Sequence, residues 1–291
     1  GSGNWTDDEH HWATESGGTP GIGNVPTSEC DVFIDENSGM DSDIEIITED
    51  GGVTQCHNFT STSGHTYTIV YNNSDIEIYG SAVFEAGTTF DWDSWAFTQF
   101  YGTETHTITC NGANLWKVYF EGTGTYTLLD NMSIIHIGYD DYGYGGLRIN
   151  LGTFDANDKN IICDNVYIRC YGTTTVYMGS GTWEITGNSD NGQPWCVDSD
   201  ENITIHGEIS TIKFTDETNV EKNFWDEMGH TYNNLWISGV GQDTWYFYGN
   251  NTFNNFKVES SQRSLLFQEE STTTVNTFSV KGEAGKLITL D

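Results

Sequence analysis

Three segments near the end of the chain repeat almost letter for letter: Thr231-Tyr-Asn-Asn-Leu-Trp-Ile237, Thr252-Phe-Asn-Asn-Phe-Lys-Val258 and Thr274-Val-Asn-Thr-Phe-Ser-Val280, with starts 21 and 22 residues apart. A fixed period of that length marks a coil that stacks on copies of itself, since one coil cannot cover its own apolar face. The expected fold is all-β: a single-stranded parallel β-helix, or β-solenoid, with about 22 residues per coil.

The kernel of the repeat is Asp or Asn, an apolar residue, any residue, then Ile or Val. It recurs upstream at Asp31-Val-Phe-Ile34, Asp43-Ile-Glu-Ile46, Asp75-Ile-Glu-Ile78, Asn131-Met-Ser-Ile134, Asn165-Val-Tyr-Ile168 and Asn202-Ile-Thr-Ile205. Side chains two apart share one face of a strand. Ile203 and Ile205 are therefore expected inside and Thr204 outside; Ile44 and Ile46 likewise inside, with Glu45 out. The Asn or Asp ahead of each copy can bond its own backbone and turn the corner into the strand, which makes the motif structural wherever it occurs. With 33 Gly and 3 Pro, corners are made by glycine. The best helical candidate, Asn219 to Met228, is expected to be a loop or one short helix.

Residues 1–30 read as an N-terminal cap, with Trp5 and Trp12 available as a lid over the open end of the first coil. Residues 31–291 read as one continuous solenoid. No capping sequence follows the last repeat, so the expectation is a fragment of a longer protein.

The segments His230-Thr-Tyr-Asn-Asn-Leu-Trp-Ile-Ser-Gly239, Asn250-Asn-Thr-Phe-Asn-Asn-Phe256 and Phe278-Ser-Val-Lys-Gly-Glu-Ala-Gly-Lys-Leu-Ile-Thr-Leu290 resemble repeats of large phage structural proteins and bacterial surface proteins. The run Asn4-Trp, Trp12, Pro20-Gly, Pro26 and Asp31-Val-Phe-Ile34 is similar to the entry cap of secreted or virion-borne β-helices. The resemblance covers about half the chain. It implies a parallel β-helix at a virion or cell surface with an adhesive or structural role, and it brings no catalytic residue.

Forty-three acidic against ten basic residues give a net charge of −33, which repels phosphate backbones and anionic headgroups and argues against nucleic acid as a partner. No apolar run is long enough for a membrane-spanning helix, so membrane insertion is not expected. Six cysteines, without zinc-like spacing, read as free thiols packed inward in place of small apolar residues, in preference to disulfides, which a solenoid of this length does not need as staples. The six Asn-x-Ser/Thr sequons follow from a composition rich in Asn and Thr, and two of them are the repeat motif itself.

Chemistry has three candidate sources. Paired carboxylates near glycine-rich corners could hold Ca²⁺, a hard ion that prefers oxygen ligands; the pairs chosen are Asp140 with Asp141 and Asp198 with Asp200, and no cofactor is required by the fold. Outward aromatics could stack on sugar rings, and the candidates are Trp183, Trp236, Trp245 and Tyr246, with packing on the neighbouring coil or on a partner subunit as the alternative. In Thr244-Trp-Tyr-Phe-Tyr248, either Trp245 and Phe247 or Tyr246 and Tyr248 must face outward. Carboxylates flanking a groove could cut glycosidic bonds, although nothing in the sequence selects a pair. Glu9-His10-His11 reads as a solvated part of the cap.

The reading is a non-enzymatic structural or adhesive β-solenoid of a phage virion or microbial cell surface, extracellular, with surface glycan or protein as its partner. Two further roles stand beside it: a polysaccharide depolymerase working through groove carboxylates, and a self-associating filament subunit.

Overall fold

The computed structural model describes residues 2–38, 44–48, 54–62, 64, 66–72, 74–91, 96–135, 146–187, 192–198, 202–239, 243–259, 263–282, 284 and 287–291. Every regular element among them is a short β-strand, and every described pairing of strands is parallel. The chain is a parallel β-solenoid. It divides into two compact units, Gly1–Ile135 and His136–Asp291.

All six upstream copies of the kernel lead into strands, namely Val32–Ile34, Ile44–Ile47, Ile76–Ile78, Met132–Ile135, Val166–Ile168 and Ile203–His206. Alternation behaves as expected: Ile76 and Ile78 are buried around half-buried Glu77, while Ile203 and Ile205 are buried around exposed Thr204. Ile46 is only half-buried, and the side chain of Ile44 lies outside the described set.

In the first unit, strands Thr54–Cys56, Ile76–Ile78, Thr98–Phe100 and Val118–Phe120 form one stacked face. Val32–Ile34, Phe59–Ser61, Ala82–Val83, Thr105–Thr109 and Thr125–Leu128 form a second. On a third, Gly3–Asn4 pairs with Ile46 and Ile47, ahead of Tyr67–Val70 and Thr89–Asp91. Trp5 follows directly; it is buried, with Trp12 edge-on at 4.8 Å.

The second unit carries the feature that shapes the rest of the molecule's chemistry. Its first face runs through Leu147–Ile149, Val166–Ile168, Trp195–Val197, Lys222–Asp226, Thr244–Tyr248, Ser264–Phe267 and Thr289–Leu290. Among the described residues a middle face has only Gly152–Asp155, Thr174–Tyr177 and Ile203–His206. The last face runs through Ile161–Cys163, Thr182–Ile185, Thr211–Phe214, Thr231–Ile237, Thr252–Val258 and Thr274–Val280.

Coil length is therefore not constant. Val166, Trp195 and Phe224 stand in register 29 residues apart, whereas Phe224, Phe247 and Phe267 are separated by 23 and then 20. The shorter coils have dropped the middle strand. Their seven-residue strands take up part of the lost path: in Thr231–Ile237 the inward residues Tyr232 and Leu235 are three apart, and the chain bends through Asn233 and Asn234, both facing outward. The repeat that announces the solenoid belongs to these two-sided coils, while three-sided coils of the first unit, where Thr54, Ile76 and Thr98 stand in register 22 residues apart, share its length without its letters.

Two sequence expectations are corrected. Lys222–Asp226, inside the helical candidate, is a strand, because Phe224 fills the core position over Trp195 in parallel stacking (5.9 Å, 4° between planes). Cys56, Cys110, Cys163 and Cys196 are buried as expected of packed thiols, but Cys30 is exposed and Cys170 half-buried with its Sγ against the Gly172 carbonyl at 3.0 Å.

Candidate functional site: a ledge groove in the second unit

Where the middle face stops at Ile203–His206, the coil below projects and the coils above do not. The step forms an open groove of about 750 Å³. Its ledge is Ile205, His206, Gly207 and Glu208; its wall is Thr231–Asn233, Thr252–Asn254 and Thr274–Asn276.

The wall is a small lattice. Thr231, Thr252 and Thr274 stand in register, and the outward Asn two residues further on repeats with them. Between the two columns, Tyr232 and Phe253 point into the core and stack on each other at 5.6 Å. The asparagines form an amide ladder: Asn254 Nδ2 donates to Asn233 Oδ1 at 3.1 Å and Asn276 Nδ2 to Asn254 Oδ1 at 3.0 Å. A second ladder runs beside it, from Asn255 to Asn234 at 2.7 Å and from Asn234 to the Thr211 hydroxyl at 3.1 Å. An amide in such a ladder spends one N–H and one lone pair on its neighbours, leaving one of each for a ligand.

The ledge is tied down. Gly207 lets the wall sit directly on it, since a Cβ there would meet the Thr231 carbonyl at 2.7 Å and the Tyr232 Cα at 2.9 Å. Glu208 accepts a hydrogen bond from the Gly179 amide. His206 is exposed and stacks flat on Tyr177 of the coil below at 4.4 Å and 6°. Among the described residues the middle face has no strand beyond Ile203–His206, and none of that face covers the upper side of the imidazole.

Behind the groove, Asp226 is fully buried and accepts from the His230 amide (3.0 Å), His230 Nδ1 (2.9 Å) and the Tyr232 hydroxyl (2.8 Å). His230 Nε2 reaches the Ile203 carbonyl at 3.3 Å, closing part of the open edge of the last middle strand. Donation from both ring nitrogens requires the imidazolium. Burial opposes that charge, but the hydrogen bond and charge of Asp226 outweigh it and raise the His230 pKa above 6.5. A raised folded-state pKa gives stability that is complete below pH 6.5 and lost as pH climbs through the folded value. The melting temperature should accordingly fall across that range in the wild type, while His230→Gln should show a flatter profile; parallel profiles would rule out the imidazolium clamp.

The aromatic candidates fall in different places. Trp183 is buried, edge-on to Phe154 and Trp195, with its Nε1 donating to the Met178 carbonyl at 3.2 Å; its partners in register, Ile161 and Ile212, are core residues. Trp245 is buried against Phe214 at 4.6 Å because it shares the inward face with Phe247. Neither can present a ring to a ligand. Trp236 is half-exposed, but Lys257 lies over its ring at 4.3 Å and Lys213 at 5.4 Å, each lysine held by a glutamate. Tyr246 faces outward with Tyr248, 6.4 Å away, and Tyr248 in turn packs on Trp225 at 4.4 Å. The residues in register with Tyr246 are Asn223 and Leu266, so its neighbouring ring is Tyr248 of the same strand.

Of the calcium candidates, Asp140, Asp141 and Asp200 lie outside the described residues. Asp198 is engaged by the Tyr167 hydroxyl at 3.0 Å and by Arg169 at 3.4 Å, a cation in the place a metal would take. Among the described residues no group of three or more His, Cys, Asp or Glu side chains converges as a metal site. Near the N-terminus, Asp7 holds His10 at 2.8 Å and His11 at 3.6 Å on the surface.

For hydrolysis, the strongest described pair in the first unit is Asp75 with Glu77, where burial pushes Asp75 up to about 6. Both are tied: Asp75 accepts from the Phe97 amide (2.8 Å) and Gln99 of the next coil, and Glu77 from the Tyr79 hydroxyl (3.0 Å). Asp75 fastens one coil to the next, and Glu77 is bonded within its own coil. Glu208 is the only carboxylate among the described residues lining the ledge groove.

The groove residues His206, Asn233, Asn254 and Asn276 were visible in the sequence only as parts of a structural repeat. The usable signal was the change in spacing, from the 29 residues between the in-register positions Thr174 and Ile203 to the 21 between Thr231 and Thr252. Compared with known protein families, with curated proteins and with solved structures, the chain shows no match.

Proposed function

We propose that this chain is an adhesive β-solenoid of a virion or microbial cell surface that binds glycan in the ledge groove. One observation carries the reading: in-register Thr and Asn columns, each residue with hydrogen-bonding capacity left over, line a concave step that ends on the upper face of the His206 ring. Hydroxyls and amides beside a flat ring are what a sugar needs, since it offers paired donors and acceptors at its rim and apolar C–H groups on its faces. A β-solenoid scaffold suits adhesive, structural or filament-forming roles alike, and the groove favours the first.

Binding is proposed in preference to cleavage because hydrolysis of a glycosidic bond uses two carboxyl groups across the scissile bond. The groove supplies one among its described residues, and that one is bonded to the Gly179 amide. A glycan array should give hits with the wild-type protein that disappear with the double variant His206→Ala, Asn254→Ala. An array without hits would remove glycan binding and leave a scaffold.

A further inference from the structure

We infer that the groove takes an extended neutral oligosaccharide running up the coils from the ledge, about one hexose per coil, and that it discriminates against acidic sugars. This deepens the glycan reading and rests on it.

The argument starts from repetition. The polar groups of the wall recur at the coil spacing of about 4.8 Å, three times over, in identical chemistry. That advance is close to the rise of one equatorially linked hexose in an extended chain. Each coil then offers one Thr hydroxyl and one free Asn N–H and lone pair to one sugar, whose neighbouring hydroxyls are themselves donor and acceptor. The ledge of His206, Gly207 and Glu208 closes the lower end, so one end of the oligosaccharide abuts the imidazole.

Charge sets the class. Among the described residues no Lys or Arg lines the groove, Glu208 does, and the chain as a whole carries −33. A uronic or sialic acid would bring its carboxylate toward a negative wall without a cation to receive it. An extended peptide adding to the open edge of Ile203–His206 is the competing occupant of the same step. That edge is partly closed, because His230 Nε2 holds the Ile203 carbonyl.

The test is calorimetric titration of the full chain with cello- and chito-oligosaccharides of one to six residues, and with oligogalacturonides as the acidic arm. Affinity should tighten by about fivefold to tenfold for each residue up to three, roughly one net hydrogen bond per coil, and level off beyond. Asn254→Ala should weaken the trisaccharide about tenfold and leave the monosaccharide nearly unchanged. Thr252→Val, which keeps the side-chain shape, repeats the test should the first variant be misfolded. Affinity independent of length, or a preference for oligogalacturonides, with groove variants still abolishing binding, would overturn this inference and spare the glycan reading. Failure of every sugar to bind, or binding indifferent to the groove variants, would overturn both.

Discussion

Asp243→Ala should lower the unfolding free energy by about 3–5 kcal/mol, the cost of breaking a buried ion pair from one side. Asp243 is completely buried and bridges two cations: Lys222 Nζ lies 2.7 Å from one carboxylate oxygen and Arg263 Nη1 2.8 Å from the other. Asp216 is the second anion, 2.8 Å from Lys222. Two positive and two negative charges thus balance in a site where the lysine and arginine side chains are each 1% exposed. Burial alone draws the Arg263 guanidinium below its usual range, with Asp243 and then Asp216 resisting. Among the described residues, removing Asp243 leaves Arg263 donating to the Gly239 carbonyl without a carboxylate in contact, and Lys222 with Asp216 and the Thr218 and Val220 carbonyls. Asp216→Ala should cost less, because both cations keep Asp243. Urea denaturation of the two variants decides the matter; equal losses, or a loss below about 1 kcal/mol for Asp243→Ala, would show that the cluster is open to water.

The same cluster explains why one strand escaped sequence reading while its neighbours did not. In Asn202-Ile-Thr-Ile205 the alternation is local and needs no knowledge of the next coil. In Lys222-Asn-Phe-Trp-Asp226 the inward positions are Lys222, Phe224 and Asp226, all three buried. Charged residues at two of three core positions erase the apolar signal, and they are tolerated because Asp243, Asp216, His230 and Tyr232 meet them from elsewhere in the chain. Trp183 illustrates the opposite case. In Thr182-Trp-Glu-Ile185 the Trp shares a face with Ile185 and opposes Glu184, so its burial was legible, and the aromatic-plate reading gave that pattern too little weight. The groove was hidden for another reason. It exists because one strand per coil is lost after His206, and stacking between coils, not local pattern, decides which strands continue. The Thr-x-Asn columns were in plain view as letters, but only the register of Thr231, Thr252 and Thr274 turns them into one surface.

That register is maintained by the core, and Phe224 is its pivot. It stacks on Trp195 below at 5.9 Å and Phe247 above at 6.0 Å, and meets Tyr232 and Phe253 edge-on at 5.4 and 5.5 Å. Tyr232 and Phe253 are the residues whose outward neighbours form the groove wall. Phe224 also sits at the coil where 29-residue spacing gives way to 23, so its ring spans the change from three-sided to two-sided coils. Phe224→Ala should cost about 3–5 kcal/mol, the lost burial of the ring plus the cavity left where stacked coils cannot collapse. Phe224→Leu should cost less, since it keeps most of the volume, and it isolates the groove's dependence on the core. If the wall is positioned by this packing, Phe224→Leu should weaken sugar binding without touching a groove residue, and its urea midpoint should fall by less than that of Phe224→Ala. A Phe224→Leu protein with wild-type affinity would show that the amide ladders hold the Thr and Asn columns in place by themselves.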